Sequence, residues 1–309
     1  MKAEVRSGII LLDKPAGITS QTAVNAVRRA FGTKQAGHTG TLDPLATGLL
    51  VVLVGRAVKA SEYATCDRKR YEAVMKLGTE TDTEDITGEI LSEKSFDLSD
   101  DEIIAACESF TGEYLQTPPM YSAVKVGGRK LYEIARAGGS VERAARPVMI
   151  YFLSAKRISD DSFSLSVECS AGTYIRTLCA DIGRKLGCGA CMSALRRTAV
   201  GDFTLDAAVT PDGLAAAAEA GTAGDLLIPV ERLFSGLGEI RLSPFYEKLM
   251  RNGCEIYLSK LRSPEDVLPD YPSGTRLKIF SSTGNFFALG EVGDWPEGKA
   301  VKALKQLAL

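Results

Sequence analysis

At 309 residues and a formal net charge of −2, from 37 Lys and Arg against 39 Asp and Glu, the chain can bury a sizeable core, has room for one large domain plus a small one, and lacks the strongly basic balance typical of a nucleic-acid-coating protein. Met1–Ser7 is polar and the apolar stretch Gly8–Leu12 is too short for a signal-peptide core or a membrane span, so a cytoplasmic protein without a membrane contact is expected. Seven cysteines (Cys66, Cys107, Cys169, Cys179, Cys188, Cys191 and Cys254) give no disulfide framework, and Cys188-Gly189-Ala190-Cys191 has zinc-ligand spacing without a second Cys or His pair, so no metal is expected.

In chain order, Gly8–Asp13 reads as a strand, and Ser20 as the N-cap of a helix over Gln21–Phe31 with Ala23, Val24, Val27 and Ala30 on one side. Gly37-His38-Thr39-Gly40-Thr41-Leu42-Asp43-Pro44-Leu45-Ala46-Thr47-Gly48 follows and carries the only histidine. Pro44 biases Asp43 toward an extended backbone, and Gly37, Gly40 and Gly48 permit positive φ and close approach of a ligand or second backbone. The apolar run Leu49–Val54 suits a strand covered on both faces. These features point to an active-site loop, although an ordinary turn whose aspartate caps local N–H groups fits the same spacing.

Tyr71–Leu77 alternates as a strand, Thr81–Asp85 reads as a polar, mobile connection, and Ser99-Asp100-Asp101-Glu102 opens a helix through Phe110 whose acidic first turn complements the helix dipole. Phe163–Cys169 alternates again, and Gly172 leads into a helix from Tyr174 to Lys185. Leu214–Gly221 reads as a surface helix near a domain junction. Alternating strands interleaved with helices predict an α+β (mixed α/β) domain on a largely antiparallel sheet, not a doubly wound parallel one. Beyond Gly238, a helix over Pro244–Asn252 ending at Gly253 and short strands punctuated by turn signals predict a small β-rich module, dividing the chain into 1–236 and 237–309.

Charge is uneven. Glu80–Glu102 holds ten acidic residues against Lys94, whereas Tyr121–Arg146 holds six basic residues (Lys125, Arg129, Lys130, Arg136, Arg143 and Arg146) and two acidic ones. The average conceals a basic surface, and Arg68-Lys69-Arg70 and Arg196-Arg197 are further clusters able either to meet phosphates or to stand as solvated faces.

The segment Gly37–Leu50 resembles the active-site motif of the TruB family, the bacterial tRNA pseudouridine-55 synthases. Gly8–Ser20 is similar to that family's Lys-Pro motif, and Lys69–Ala73, Gln116–Ala123 and Gly172–Leu178 resemble further family segments in the same order. The resemblance implies the pseudouridine-synthase fold with a compact PUA-like RNA-binding domain at the carboxyl end, where the likeness is weak and Leu261–Tyr271 fits no family pattern. It also implies a catalytic aspartate at Asp43, an arginine paired with it at Arg176, and a tyrosine that stacks on the target base and can assist proton transfer at Tyr71. Tyr174 is implied as a second pocket tyrosine, His38 as an RNA-loop contact, and Leu195 as an apolar wall of the uracil pocket. Lys14 and Pro15 are expected behind the loop, and Lys14, Lys69 and Arg70 are grouped with the substrate and RNA contacts.

The implied reaction breaks an N-glycosidic bond, turns the base and rejoins it through carbon, which needs a carboxylate and no nucleotide, redox or metal cofactor. The sequence accordingly carries no phosphate-binding loop or dinucleotide fingerprint. The expected partner is tRNA, through its T-arm stem-loop and with the base flipped out, and the expected state is a monomer with no obligatory protein partner. Two alternatives stay open: the catalytic subunit of a guide-RNA complex, and an RNA-folding chaperone in which catalysis is secondary.

Overall fold

The computed structural model describes residues 7–64, 68–261 and 270–307; Cys66 and most of Leu261–Tyr271 lie outside them. The main sheet is built from β1 (Gly8–Lys14), β2 (Ala36–His38), β3 (Thr47–Val54), β4 (Arg68–Leu77), β7 (Gly112–Gln116), β10 (Arg146–Arg157), β11 (Ser162–Ser170), β12 (Ala190–Val200) and β13 (Phe203–Thr204). Two small hairpins, β5 (Thr79–Thr81) with β6 (Ile90–Glu93) and β8 (Lys125–Val126) with β9 (Arg129–Lys130), stand beside it.

The sheet order is β1-β3-β12-β4-β11-β10-β7, with β2 on β3 and β13 on β12. Only β12 against β3 is parallel, and the expected antiparallel α+β architecture is what forms. The helices are α1 (Ser20–Ala30), α2 (Asp100–Glu108), α3 (Leu131–Arg136), α4 (Ile175–Leu186), α5 (Pro211–Glu219) and α6 (Pro244–Arg251). The helix expected from its acidic first turn forms as α2, and there Ser99 and Glu102 make a capping box.

Strands β1 and β3, of which β3 contains the run expected to be covered on both faces, explain the layering. In β1, Ile9 and Leu11 face one cluster while Ile10 and Leu12 face another; in β3, Leu49, Val51 and Leu53 alternate likewise with Leu50, Val52 and Val54. The second set packs on α1 and α5 through Ala23, Val24, Val27 and Leu214. The first set packs on Phe286, Leu289 and Leu307 of the carboxyl-terminal module. Period-two alternation with apolar residues on both faces thus clamps this edge of the sheet between two layers. Each fully buried Leu, Ile or Val contributes ~1.5–3 kcal/mol.

The carboxyl-terminal module carries a five-stranded sheet in the order β14 (Gly238–Arg241), β16 (Arg276–Phe280), β17 (Phe286–Trp295), β18 (Gly298–Gln306), β15 (Ile256–Tyr257). It has its own cluster around Ile240, Leu277, Ile279, Phe287 and Val301. Lys305 also pairs with Glu62 at 2.7 Å across the junction. The surface helix expected near the junction is α5, and its Leu214 is fully buried against α1's side of the sheet.

Candidate active site

The helix start and the candidate loop are joined by one hydroxyl. Thr19, not Ser20, caps α1, its side chain accepting from Thr22 N at 3.0 Å. Ser20 is buried and its Oγ donates to Leu42 O and accepts from Leu42 N, both at 2.8 Å. The residue before Asp43 is therefore held at both backbone groups.

Of the three loop glycines only Gly48 has a positive φ, 98°. A Cβ there would stand 2.3 Å from Arg197 O, so this glycine is set by the close approach of β12 in the parallel pair. Lys14 lies under the loop with no exposed surface, and its Nζ donates to Pro15 O and Ile18 O at 2.8 Å and to Pro44 O at 3.4 Å. Burial lowers its ammonium pKa to about 8, against the attraction of Asp43. Lys14 thus supports the loop from behind and presents nothing to RNA, which corrects its grouping with the RNA contacts.

Asp43 Oδ2 lies 2.9 Å from Arg176 Nε, with the aspartate side chain 35% exposed and the arginine 5%. Arg176 enters from the first turn of α4, and each of its two terminal nitrogens donates to a carbonyl, Nη1 to Thr83 O and Nη2 to Tyr121 O, both at 3.0 Å. Asp85 Oδ2 stands 3.6 Å from Arg176 Nη1. Burial pushes the Asp43 carboxyl above the usual carboxylate range; Arg176 pulls it down and Asp85 pushes it further up.

Asp85 corrects the reading of Thr81–Asp85 as a polar, mobile connection. Asp85 is buried, its Oδ1 accepts from Thr87 N and Thr83 Oγ1 at 3.0 Å, and Thr81 Oγ1 donates to its carbonyl at 2.7 Å. Met192 N donates to Glu84 O at 3.0 Å, and Ile86 N to Met192 O at 2.9 Å, docking the segment on β12.

Tyr71 is buried on β4, opposite Val167 of β11 and Arg197 of β12. Burial raises its phenol pKa, and the positive charge of Arg197 opposes that. Leu195 is buried in the same cluster as Leu42, Tyr71 and Ile175. Tyr174, half-buried, is clasped at its backbone: its N donates to Gln116 Oε1 at 2.8 Å and its carbonyl accepts from Gln116 Nε2 at 3.0 Å. His38 sits on β2, and its buried Nδ1 has no hydrogen-bond partner. Burial and then the Arg197 charge lower its pKa, favouring neutral imidazole.

The basic clusters separate by strand face. Lys69 is on Tyr71's side of β4, with its Nζ 3.4 Å from where a Cβ on Gly40 would be. Arg70 is exposed on the other face, away from Asp43 and Tyr71. The Arg196-Arg197 pair is not a phosphate cluster: Arg196 makes a two-pronged contact with Asp13, at 2.8 and 3.2 Å, and Arg197 is buried. Lys125, Arg129, Arg136 and Arg146 are exposed, as a basic surface requires.

Sequence reasoning missed Ser20's grip on Leu42, Asp85, Arg197 and the Gln116 clasp. Gln116 lies inside a family-like segment and Arg197 alternates with Arg196, so those two left a trace in the sequence.

Residues 28–175 match a family model described as TruB family pseudouridylate synthase (N terminal domain), and residues 176–235 one described as tRNA pseudouridylate synthase B C-terminal domain. A tRNA pseudouridine synthase B of Bacillus subtilis (strain 168) is 42% identical over 290 residues, covering 92% of each chain. One of Alkaliphilus oremlandii (strain OhILAs) is 46% identical over 255 residues, covering 82% of this chain and 84% of the relative. The chain belongs to the TruB family of pseudouridylate synthases.

Structural likeness extends the TruB-family comparison through the carboxyl-terminal module. A crystal structure of a Cbf5-Nop10-Gar1 complex matches with a TM-score of 0.72 and 26% identity, covering 98% of this chain and 85% of that one. An archaeal box H/ACA sRNP Nop10-Cbf5 complex matches at a TM-score of 0.73 and 26% identity, covering 98% and 86%. The TruB-family model boundary at 175/176 is not a structural one, since β12 beyond it is central to the sheet.

Proposed function

We propose that this protein is a tRNA pseudouridine synthase that isomerises uridine 55 in the T loop, with Asp43 as the attacking carboxylate on a flipped-out uridine. The observation that carries the reading is the Asp43–Arg176 pair: a part-exposed carboxylate, anchored by a buried guanidinium, beside Tyr71 and Leu195. The relatives named tRNA pseudouridine synthase B support the substrate class.

In the reaction the N1–C1′ bond breaks, the uracil turns, and a C5–C1′ bond forms; C5 loses its hydrogen and N1 gains one. A carboxylate at the cleft serves as nucleophile or offsets charge developing at the sugar. Flipping costs a few kcal/mol, and an aromatic surface returns ~1–3 kcal/mol by stacking. Tyr71 fills that role in this reading, Leu195 walls the uracil, Tyr174 completes the pocket, and His38, Lys69 and the exposed basic segment meet the RNA. Arg70 is exposed on the face of β4 opposite Tyr71, so it does not line the uridine pocket.

We assign residues 1–236 to the catalytic domain and 237–309 to a PUA-like RNA-binding domain, acting as a monomer in the cytoplasm. Among the described residues, no helix is long and apolar enough to cross a membrane.

The test is tritium release from 5-tritiated uridine in a transcribed T-arm stem-loop, with the purified chain in EDTA and Asp43→Asn as control. Release by the wild type and none by the variant supports the reading. The Cbf5 likeness is to a protein solved in complexes, so release without added proteins also separates a stand-alone enzyme from a guide-RNA subunit. No release on stem-loop or full-length tRNA overturns the stand-alone reading.

A further inference from the structure

Arg197 heads the fully buried side chains of the described chain, with 1% of its surface exposed. Burying a guanidinium is costly unless its donors are met, and arginine keeps its charge. Its Nε donates to Leu49 O at 2.7 Å, its Nη2 to Gly40 O at 3.0 Å and its Nη1 to Thr41 O at 3.4 Å. All three partners are neutral carbonyls, two from the approach to Asp43 and one from the strand that leaves the loop. One side chain therefore ties both ends of the Asp43 loop to β12.

The same residue faces the tyrosine. Pairing of β4 with β12 sets Arg197 opposite Tyr71, both of them buried, and residues opposite each other across a strand pair stand side by side on one face of the sheet. A guanidinium has five N–H donors and no acceptor, and three are used on the carbonyls. A phenol oxygen set against that guanidinium can only accept, which would leave its one proton pointing away from Arg197.

We propose that Arg197 is a positioning residue that couples the loop carrying Asp43 to Tyr71, holding the Gly40 and Thr41 carbonyls while donating to the phenol oxygen of Tyr71 and so leaving the hydroxyl proton free for the uridine. This deepens the proposed function and rests on it. A lysine, with one ammonium in place of a planar fork, cannot meet the three carbonyls in these directions.

The experiment compares wild type, Arg197→Lys, Tyr71→Phe and the double variant by single-turnover pseudouridine formation and stem-loop binding, with thermal melts as a folding check. A second arm records the Tyr71 ¹³Cζ signal at neutral pH in tyrosine-labelled protein, assigned by its loss in Tyr71→Phe. The expected result is a rate loss of about tenfold or more in Arg197→Lys with binding within about threefold. That loss shrinks to under about threefold in the Tyr71→Phe background, because coupled residues are not additive. The Tyr71 ¹³Cζ signal also moves.

Additive losses, a wild-type rate in Arg197→Lys, or an unmoved Tyr71 signal would overturn the proposal. Should Arg197→Lys fail to fold, the isosteric Tyr71→Phe decides: the slowly exchanging buried guanidinium signal of ¹⁵N-arginine-labelled protein shifts if the phenol is its partner and stays if it is not. If the wild type forms no pseudouridine, the functional reading fails while the two spectroscopic arms still decide the coupling.

Discussion

Arg176 Nε meets Asp43 Oδ2 at 2.9 Å while its two terminal nitrogens are held by Thr83 O and Tyr121 O, so one guanidinium fixes the carboxylate from a frame of backbone carbonyls. A lysine supplies a point charge and cannot serve the three directions together. Arg176→Lys is therefore expected to lower kcat about a hundredfold or more, on the scale of losing a preorganised electrostatic contact. Arg176→Ala additionally leaves Asp43 and Asp85 without their partner and is expected to cost ~3–5 kcal/mol in denaturant unfolding. A variant of either kind with wild-type kcat would show that Asp43 does not depend on this pair.

Asp43 must be ionised to attack, and burial raises its pKa above the ordinary 3.8 despite Arg176. Activity is expected to fall as pH drops through that raised value, so the acid limb of single-turnover rate against pH has its midpoint above 3.8. The stability linkage has the opposite sense: a carboxyl with a raised folded pKa adds stability below its unfolded pKa and loses it as pH rises through the folded one. Asp85→Asn removes the like charge that pushes Asp43 up, so the midpoint should move to lower pH. A limb at or below 3.8, or one unmoved in Asp85→Asn, would refute this account.

The architecture was largely legible because it rests on local pattern. The run Leu49–Val54 announced a strand covered on both faces, and the acidic first turn at Ser99–Glu102 announced a helix. The site was legible where motif and local stiffness coincide, at the Asp43-Pro44 turn. It was not legible where one residue's role is set by a distant partner. Asp85 sits in a polar stretch and owes its burial to docking on Met192. Ser20 looked like a cap because a serine before a helical pattern usually is one, yet it is spent on Leu42. Arg196 and Arg197 are neighbours in sequence and face opposite sides of one strand, so a charge cluster in the chain is no cluster in space.

Lys14 offers a pH signature of its own. With a pKa lowered to about 8 from 10.5, the folded state binds fewer protons than the unfolded one between those values. Stability then rises with pH across that window. Lys14→Met lacks this contribution and leaves the Pro15, Ile18 and Pro44 carbonyls without their donor. The variant is expected to melt at lower temperature, and the gap to wild type should widen between pH 7.5 and 10. A gap that narrows over that range would mean the ammonium is not desolvated as described.

Ser20→Ala isolates the positioning of Asp43 from its chemistry. The hydroxyl serves the N–H and the carbonyl of Leu42 at 2.8 Å each, both out of reach of solvent with Leu42 buried. Removing it strands a donor and an acceptor, at ~1–3 kcal/mol each where the site cannot admit water. Because Thr19 holds the helix cap, α1 itself should keep its far-ultraviolet signal. The loop, by contrast, loses the tether adjacent to Asp43, and small misplacements of a reacting group cost large factors in rate. The expected outcome is a kcat reduced about ten- to a hundredfold with stem-loop binding little changed. A variant that binds weakly yet turns over normally would instead place Ser20 in RNA recognition and remove it from the support of Asp43.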